Sequence, residues 1–439
     1  MSDDGVREIL IERNLLIPLS DGAELSADLY RPAGAGPFPA LLSFYPYHKD
    51  DMIGGMLEGP RRYFAERGYA HLLIDFRGLG GSSGIAWDAM DRREGVDGAQ
   101  AVEWIARQKW CDGNVGMWGL SYGGISSLKV AAENPPHLKA IVPIQGSADI
   151  YRDYIAPGGC RSCLGSYGAW GSFMLAMNLM PPTNTDAQGR WYRLWLERLE
   201  RGTPYVLPWM DHPDYDEYWS AKGVDPAKIT TPTFIIGGWR DIFPEGMPAL
   251  YPHLKGPKKL LMGPWMHGLP DTSPFDAIDF LPMIKRWFDH WLRGEKNGVA
   301  EEPPVTINVQ NAKVWRHERE WPIARDDADV VPRARWKSPP FGRPRRAGRE
   351  LSRRSDRWHR RRALGSDGAR RRTPARSDRG RSEVARLHQR TDARGCRDHR
   401  RTRGGHPCGD HLGRGRQPGR ETLRRRSRGR FGTHHHRMA

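Results

Sequence analysis

The sequence predicts an α/β protein built on a mainly parallel sheet. Three observations carry that prediction: short apolar runs with little alternation, helix-length segments between them, and a return of the same order after a long aromatic interruption. Strands buried on both faces read as continuous apolar runs, and a strand–helix alternation is how a parallel sheet is connected.

Along the chain, Ile9–Leu19 and Glu24–Tyr30 flank the turn signal Ser20-Asp21-Gly22 and read as a hairpin. Ala40–Tyr45 and Tyr69–Asp75 are candidate buried strands; between them Arg61–Arg67 is a candidate helix stopped by Gly68. Glu94–Gln108 turns Val96, Ala99, Val102, Trp104 and Ile105 toward one face. The strand Gly113–Trp118, a helix from Tyr122 to Glu133 and the strand Lys139–Ile144 follow. From Gln145 to Val224 the alternation gives way to segments rich in Trp, Tyr, Met and Leu, read as an inserted helical cap. Strands Thr231–Ile236 and Lys259–Met262 and a helix over Met283–Arg293 resume the core, and Val305–Val309 reads as the first strand of a further, all-β unit. The expected organisation is an α/β core over 1–144 and 225–300, a cap over 145–224, the start of a β domain over 301–330, and a tail over 331–439.

The net charge of +17 invites a nucleic-acid or membrane reading until it is located. Residues 331–439 hold 34 Arg and one Lys against nine acids, so the remaining 330 residues are mildly acidic. The tail contains no Ile, Tyr or Asn, with one Lys, one Met and two Phe. All six have codons that begin with two A or T bases. Their joint depletion beside excess Arg, Gly and Pro is what a GC-rich gene yields when read out of frame, and a frameshift near residue 330 is the expectation. The rival is a genuine Arg-rich disordered tail that binds RNA. No repeat or aromatic interleaving favours it, so nucleic acid is not the expected partner.

No secretion signal follows Met1-Ser2-Asp3-Asp4-Gly5, and no apolar run approaches the roughly 20 residues of a spanning helix. The five cysteines (Cys111, Cys160, Cys163, Cys396, Cys408) form no disulfide framework. A cytoplasmic protein without membrane partners is expected.

The chemistry gathers at Gly119-Leu120-Ser121-Tyr122-Gly123. Gly-x-Ser-x-Gly is a weak signal by itself. Here it follows the strand Val115–Trp118 and precedes a helix, the setting of a nucleophile elbow. A serine hydroxyl needs a histidine to take its proton, and the histidine needs a carboxylate to orient it. In this fold the order is Ser, acid, His. Asp241 in Gly237-Gly238-Trp239-Arg240-Asp241 and His267 in Gly263-Pro264-Trp265-Met266-His267-Gly268 fit, each just past a candidate strand. Asp211, Asp214 and Asp225 compete with Asp241, and His212, His253 and His290 with His267. Cys160-Arg161-Ser162-Cys163 has redox or zinc spacing but lacks a second ligand pair. His434-His435-His436 offers adventitious metal binding alone.

Together these motifs resemble the CocE/NonD family, which groups cocaine esterase, X-Pro dipeptidyl-peptidases and α-amino acid ester hydrolases. The likeness runs from Ile9 to about Asp329 and takes in Asp75-Phe76-Arg77-Gly78 and Trp315–Pro322, which opens the family's C-terminal jelly roll. It implies an α/β-hydrolase core and hydrolysis of an ester, amide or short peptide substrate without a cofactor. It also implies an oxyanion hole made by the Tyr122 backbone N–H and the Tyr47 hydroxyl, with Tyr45 as the alternative donor. Donors aimed at the developing alkoxide are what acyl transfer requires.

Overall fold

The computed structural model describes residues 6–183 and 189–324. The Arg-rich tail, with Cys396, Cys408, His434–His436 and the expected frameshift, lies outside the described residues. The strands are β1 (Ile9–Pro18), β2 (Glu24–Pro32), β3 (Phe38–Tyr45), β4 (Ala70–Asp75), β5 (Cys111–Leu120), β6 (Leu138–Ile144), β7 (Thr233–Arg240), β8 (Lys258–Met266), β9 (Val305–Val309) and β10 (Val314–Glu318). The α-helices are α1 (Met52–Glu66), α2 (Arg92–Ala106), α3 (Tyr122–Ala132), α4 (Gly171–Leu179), α5 (Arg190–Arg201), α6 (Val206–Asp211), α7 (Glu217–Lys222), α8 (Gly246–Leu250) and α9 (Leu281–Arg293).

The strands form one sheet in the order β1-β2-β4-β3-β5-β6-β7-β8-β9-β10. Pairing is parallel from β4 through β3 and β5 to β9, and antiparallel for β1 with β2, β2 with β4 and β9 with β10. Every residue of β3 and β4 is buried, which is why neither alternates. Helices α2 and α3 pack together, and α1 meets α9.

Two expectations are corrected. The helix expected over Arg61–Arg67 begins at Met52 and runs through Pro60. Pro60 and three glycines mask its first half, whereas Gly68 ends it in the left-handed region, at φ +88°. Val305–Val309 does not open a separate unit among the described residues. It pairs in parallel with β8, where Val305 and Ile307 are buried, and so continues the central sheet.

The cap enters after β6 and returns at β7. It comprises π-helical turns at Tyr151–Ile155 and Cys163–Trp170 followed by α4 to α7. Asp88 of the core fastens it: its carboxylate accepts Trp209 Nε1 at 3.1 Å, the Tyr218 hydroxyl at 2.5 Å and Lys222 Nζ at 2.7 Å. Among the described residues no helix is long and apolar enough to cross a membrane.

Candidate active site

The carboxyl ends of β3, β5, β7 and β8 deliver Tyr47, Ser121, Asp241 and His267 to one edge of the sheet, the side where open α/β sheets hold their sites. Ser121 sits between β5 and α3 with φ +60° and ψ −120°. That geometry is costly for a side-chain-bearing residue, of order 1–3 kcal/mol, and the surroundings hold it. Its N–H donates to the Ile144 carbonyl at 2.8 Å, and its own carbonyl accepts from Ile125 N. The glycines have steric reasons. A Cβ on Gly119 would stand 2.7 Å from the Gly123 backbone, and one on Gly123 would stand 2.3 Å from the Tyr45 hydroxyl.

Ser121 Oγ–H donates to His267 Nε2 at 2.9 Å, and His267 Nδ1–H donates to Asp241 Oδ1 at 2.5 Å. The Asp241 side chain is fully buried while His267 is partly open to solvent. The second Asp241 carboxylate oxygen is buried with no hydrogen-bond partner among the described residues. The neighbouring Arg240 donates from its guanidinium to the Pro264 carbonyl at 2.9 Å and joins the two loops.

The competing residues lie elsewhere. His212 pairs with Asp216 at 2.6 Å, and His290 is bonded to the Glu295 carbonyl. His253 is exposed in a short turn after α8. Asp225 caps a short helical turn, and Asp211 and Asp214 are exposed. Cys160 and Cys163 are free and exposed, and the described residues contain no cluster of three His, Cys, Asp or Glu able to hold a metal.

The two tyrosines after β3 sit differently. Tyr45 lies behind the elbow, where its hydroxyl accepts the Leu120 N–H at 2.7 Å. Tyr47 is buried, and its hydroxyl accepts the Trp170 indole N–H at 3.1 Å. Burial pushes its pKa up, against the lowering effect of the Trp170 bond, so it stays a proton donor at neutral pH. Tyr122 is the first residue of α3, so its backbone N–H is among those left without an intrahelical acceptor. Its side chain points into the core, accepting from Met90 N and donating to Glu94, both at 2.7 Å.

Gln145 is a residue that sequence reasoning misses. It follows β6 in the left-handed region, at φ +45°, fully buried. Its amide clasps both flanks of His267: Nε2 donates to the Met266 carbonyl at 2.9 Å, and Oε1 accepts the Gly268 N–H at 2.7 Å. A buried residue with one donor end and one acceptor end matches that loop, and no local motif announces it. Trp170 is missed for the same reason.

The arrangement can ionise a serine hydroxyl against a carbonyl carbon. Aromatic side chains surround it: Phe243 lies 5.7 Å from the His267 ring, Tyr154 lies 5.6 Å from Phe243, and Phe173 lies 5.7 Å from Tyr47.

Known proteins resemble this chain over much of its length. Cocaine esterase of Rhodococcus sp. (strain MB1 Bresler) is 32% identical, over 71% of this chain and 60% of the esterase. The Xaa-Pro dipeptidyl-peptidase of Lactobacillus helveticus is 24% identical, over 59% of this chain and 35% of the peptidase. The chain thus spans at most three-fifths of the length of these relatives. Among solved structures, a CocE/NonD family hydrolase from Staphylococcus aureus superposes with a TM-score of 0.60 at 23% identity, covering 73% of this chain and 57% of that one. The model of the X-Pro dipeptidyl-peptidase (S15) family matches residues 21–269, a span that opens in the β1–β2 turn, carries Tyr47, Ser121 and Asp241, and closes just past His267. On that match, over more than half of its length, the chain belongs to the X-Pro dipeptidyl-peptidase (S15) family.

Proposed function

We propose that this chain is a serine hydrolase that cleaves an ester or amide through an acyl-enzyme on Ser121. The observation that carries the reading is the unbroken line of hydrogen bonds from Ser121 Oγ through His267 to buried Asp241. His267 takes the serine proton as Oγ attacks the carbonyl carbon, and Asp241 holds the imidazole in the tautomer that leaves Nε2 free to accept. The alkoxide develops between the Tyr122 N–H and the Tyr47 O–H, worth on the order of 3 kcal/mol per donor. His267 then hands its proton to the leaving group, and water releases the acyl group by the same steps. No step calls for a cofactor.

The aromatic surroundings favour an apolar or aromatic acyl group on a small ester. X-Pro dipeptidyl-peptidase activity is the second reading, favoured by the family match over residues 21–269. It asks for a carboxylate facing the substrate ammonium. Asp149 lies 3.3 Å from Arg152, Asp153 accepts the Ser147 hydroxyl at 2.6 Å, and Asp211 is exposed on α6, so the ester reading ranks first. Hydrolysis of an aryl ester compared with an Xaa-Pro anilide separates the two. Labelling by a fluorophosphonate that is lost in Ser121→Ala tests the nucleophile; labelling of soluble protein that survives this substitution overturns it.

A further inference from the structure

Tyr47 comes from the core, yet the group that addresses its hydroxyl comes from the cap. A phenol has one proton to donate, whereas an indole N–H can only donate. The Trp170 Nε1–H reaches the Tyr47 oxygen at 3.1 Å and occupies an acceptor position there. The Tyr47 proton is therefore turned away from Trp170.

Trp170 is itself packed among other aromatic rings. Its ring stacks on Trp209 with centroids 5.3 Å apart and planes within 1° of parallel. Trp209 is fully buried, and its indole N–H is tied to Asp88. Tyr122 and Tyr154 approach the Trp170 ring at 6.1 and 6.5 Å. A line of contacts thus runs from Asp88 in the core, through two cap tryptophans, and back to the hydroxyl beside the nucleophile.

We infer that Trp170 is a positioning residue for oxyanion stabilisation: its indole N–H sets the direction of the Tyr47 hydroxyl, so the oxyanion hole is complete only with the cap seated. The inference rests on the reading of Tyr47 as an oxyanion donor. Accepting a bond from Trp170 also polarises the Tyr47 O–H, which strengthens the bond it gives to a developing negative charge.

The test is a double-mutant cycle on the full chain, with 4-nitrophenyl butyrate as substrate. Trp170 is replaced by benzothienylalanine, which keeps the bicyclic shape and the stack on Trp209 but has sulfur in place of N–H; Trp170→Phe is the second variant. Loss of one hydrogen bond to an oxyanion donor is expected to lower kcat roughly tenfold with KM nearly unchanged. In a Tyr47→Phe background, itself slower by roughly a hundredfold, the same replacement is expected to change kcat by less than twofold. A wild-type kcat in the benzothienylalanine protein, where Tyr47→Phe is slow, overturns the inference alone. An undiminished loss in the Tyr47→Phe background also overturns it, since Trp170 would then act by packing. A Tyr47→Phe enzyme as fast as wild type overturns the reading of Tyr47 and the inference with it.

Discussion

The hydroxyl of Tyr45 accepts the Leu120 N–H at 2.7 Å, one residue before the strained Ser121. Both partners are buried. Tyr45→Phe leaves that N–H without an acceptor, which costs about 1–3 kcal/mol. Urea unfolding should show a lower midpoint with an unchanged slope. An unchanged midpoint would mean that the elbow does not depend on this bond.

Gly123→Ala tests the same region by steric means. Its Cβ would lie 2.2 Å from the Tyr45 ring and 2.3 Å from the Tyr45 hydroxyl. Overpacking of this kind costs about 1–3 kcal/mol or more, and relief has to come from moving Tyr45 or the turn. The variant should label more slowly with a fluorophosphonate than Gly55→Ala, whose Cβ meets nothing within 4 Å. Equal labelling of the two would discount the crowding.

Asp241→Asn keeps the shape of the side chain and removes its charge. The His267 tautomer is then no longer enforced, and kcat should fall by roughly 10⁴ with little change in KM. Steady-state kinetics on an aryl ester measure it. A loss under tenfold would assign the acid role to another residue.

Gln145→Met keeps the length of the side chain and abolishes both bonds to the His267 loop. The imidazole then loses registry with Ser121, and misplacement on the scale of 1 Å is worth about 10²-fold. The loss should appear in kcat, while the Asp241→Asn variant should be almost insensitive to the added change. Independent, multiplying losses in the double variant would show that Gln145 does not act through His267.

Asp153 supplies a pH dependence. Burial pushes its carboxyl up to about 6; the Ser147 hydroxyl bond works against this, and Asp149 and Glu245 add to it. Between about pH 4 and 6 the folded protein therefore holds a proton that the unfolded chain has released, and this group's contribution to stability falls as pH rises through that window. Asp153→Asn has no charge to bury. It should be more stable than the parent by about 2–3 kcal/mol at pH 7, and the gap should close below about pH 4. Urea unfolding at the two pH values checks it, and a gap that is constant with pH would remove the cause given.

Much of the fold is legible in the amino-acid sequence. Ala40–Tyr45 and Tyr69–Asp75 announce themselves because strands covered on both faces cannot alternate. Ser121, Asp241 and His267 stand out because chemistry constrains their types, and the sheet constrains their order and their place at strand ends. Gln145 and Trp170 do not. Each acts through contacts more than 120 positions away, on Met266 and on Tyr47. Neither a glutamine after a strand nor one tryptophan among 17 carries a local signature of such a contact. Val305–Val309 misleads because a short apolar strand looks the same whether it ends one sheet or begins another; only its register against Leu260 and Met262 decides.

The cap's position between β6 and β7 gives the chain a built-in order of assembly. A growing chain presents the Ser121 turn first, and His267 follows only 146 residues later. Because domains form as synthesis proceeds from the N-terminus, the serine waits beside β6 with no base to ionise it. The cap is made before β7 and β8, the strands that bring Asp241 and His267 into place. The nucleophile, its acid and its base therefore share one site only when the strands on both sides of the cap stand in one sheet.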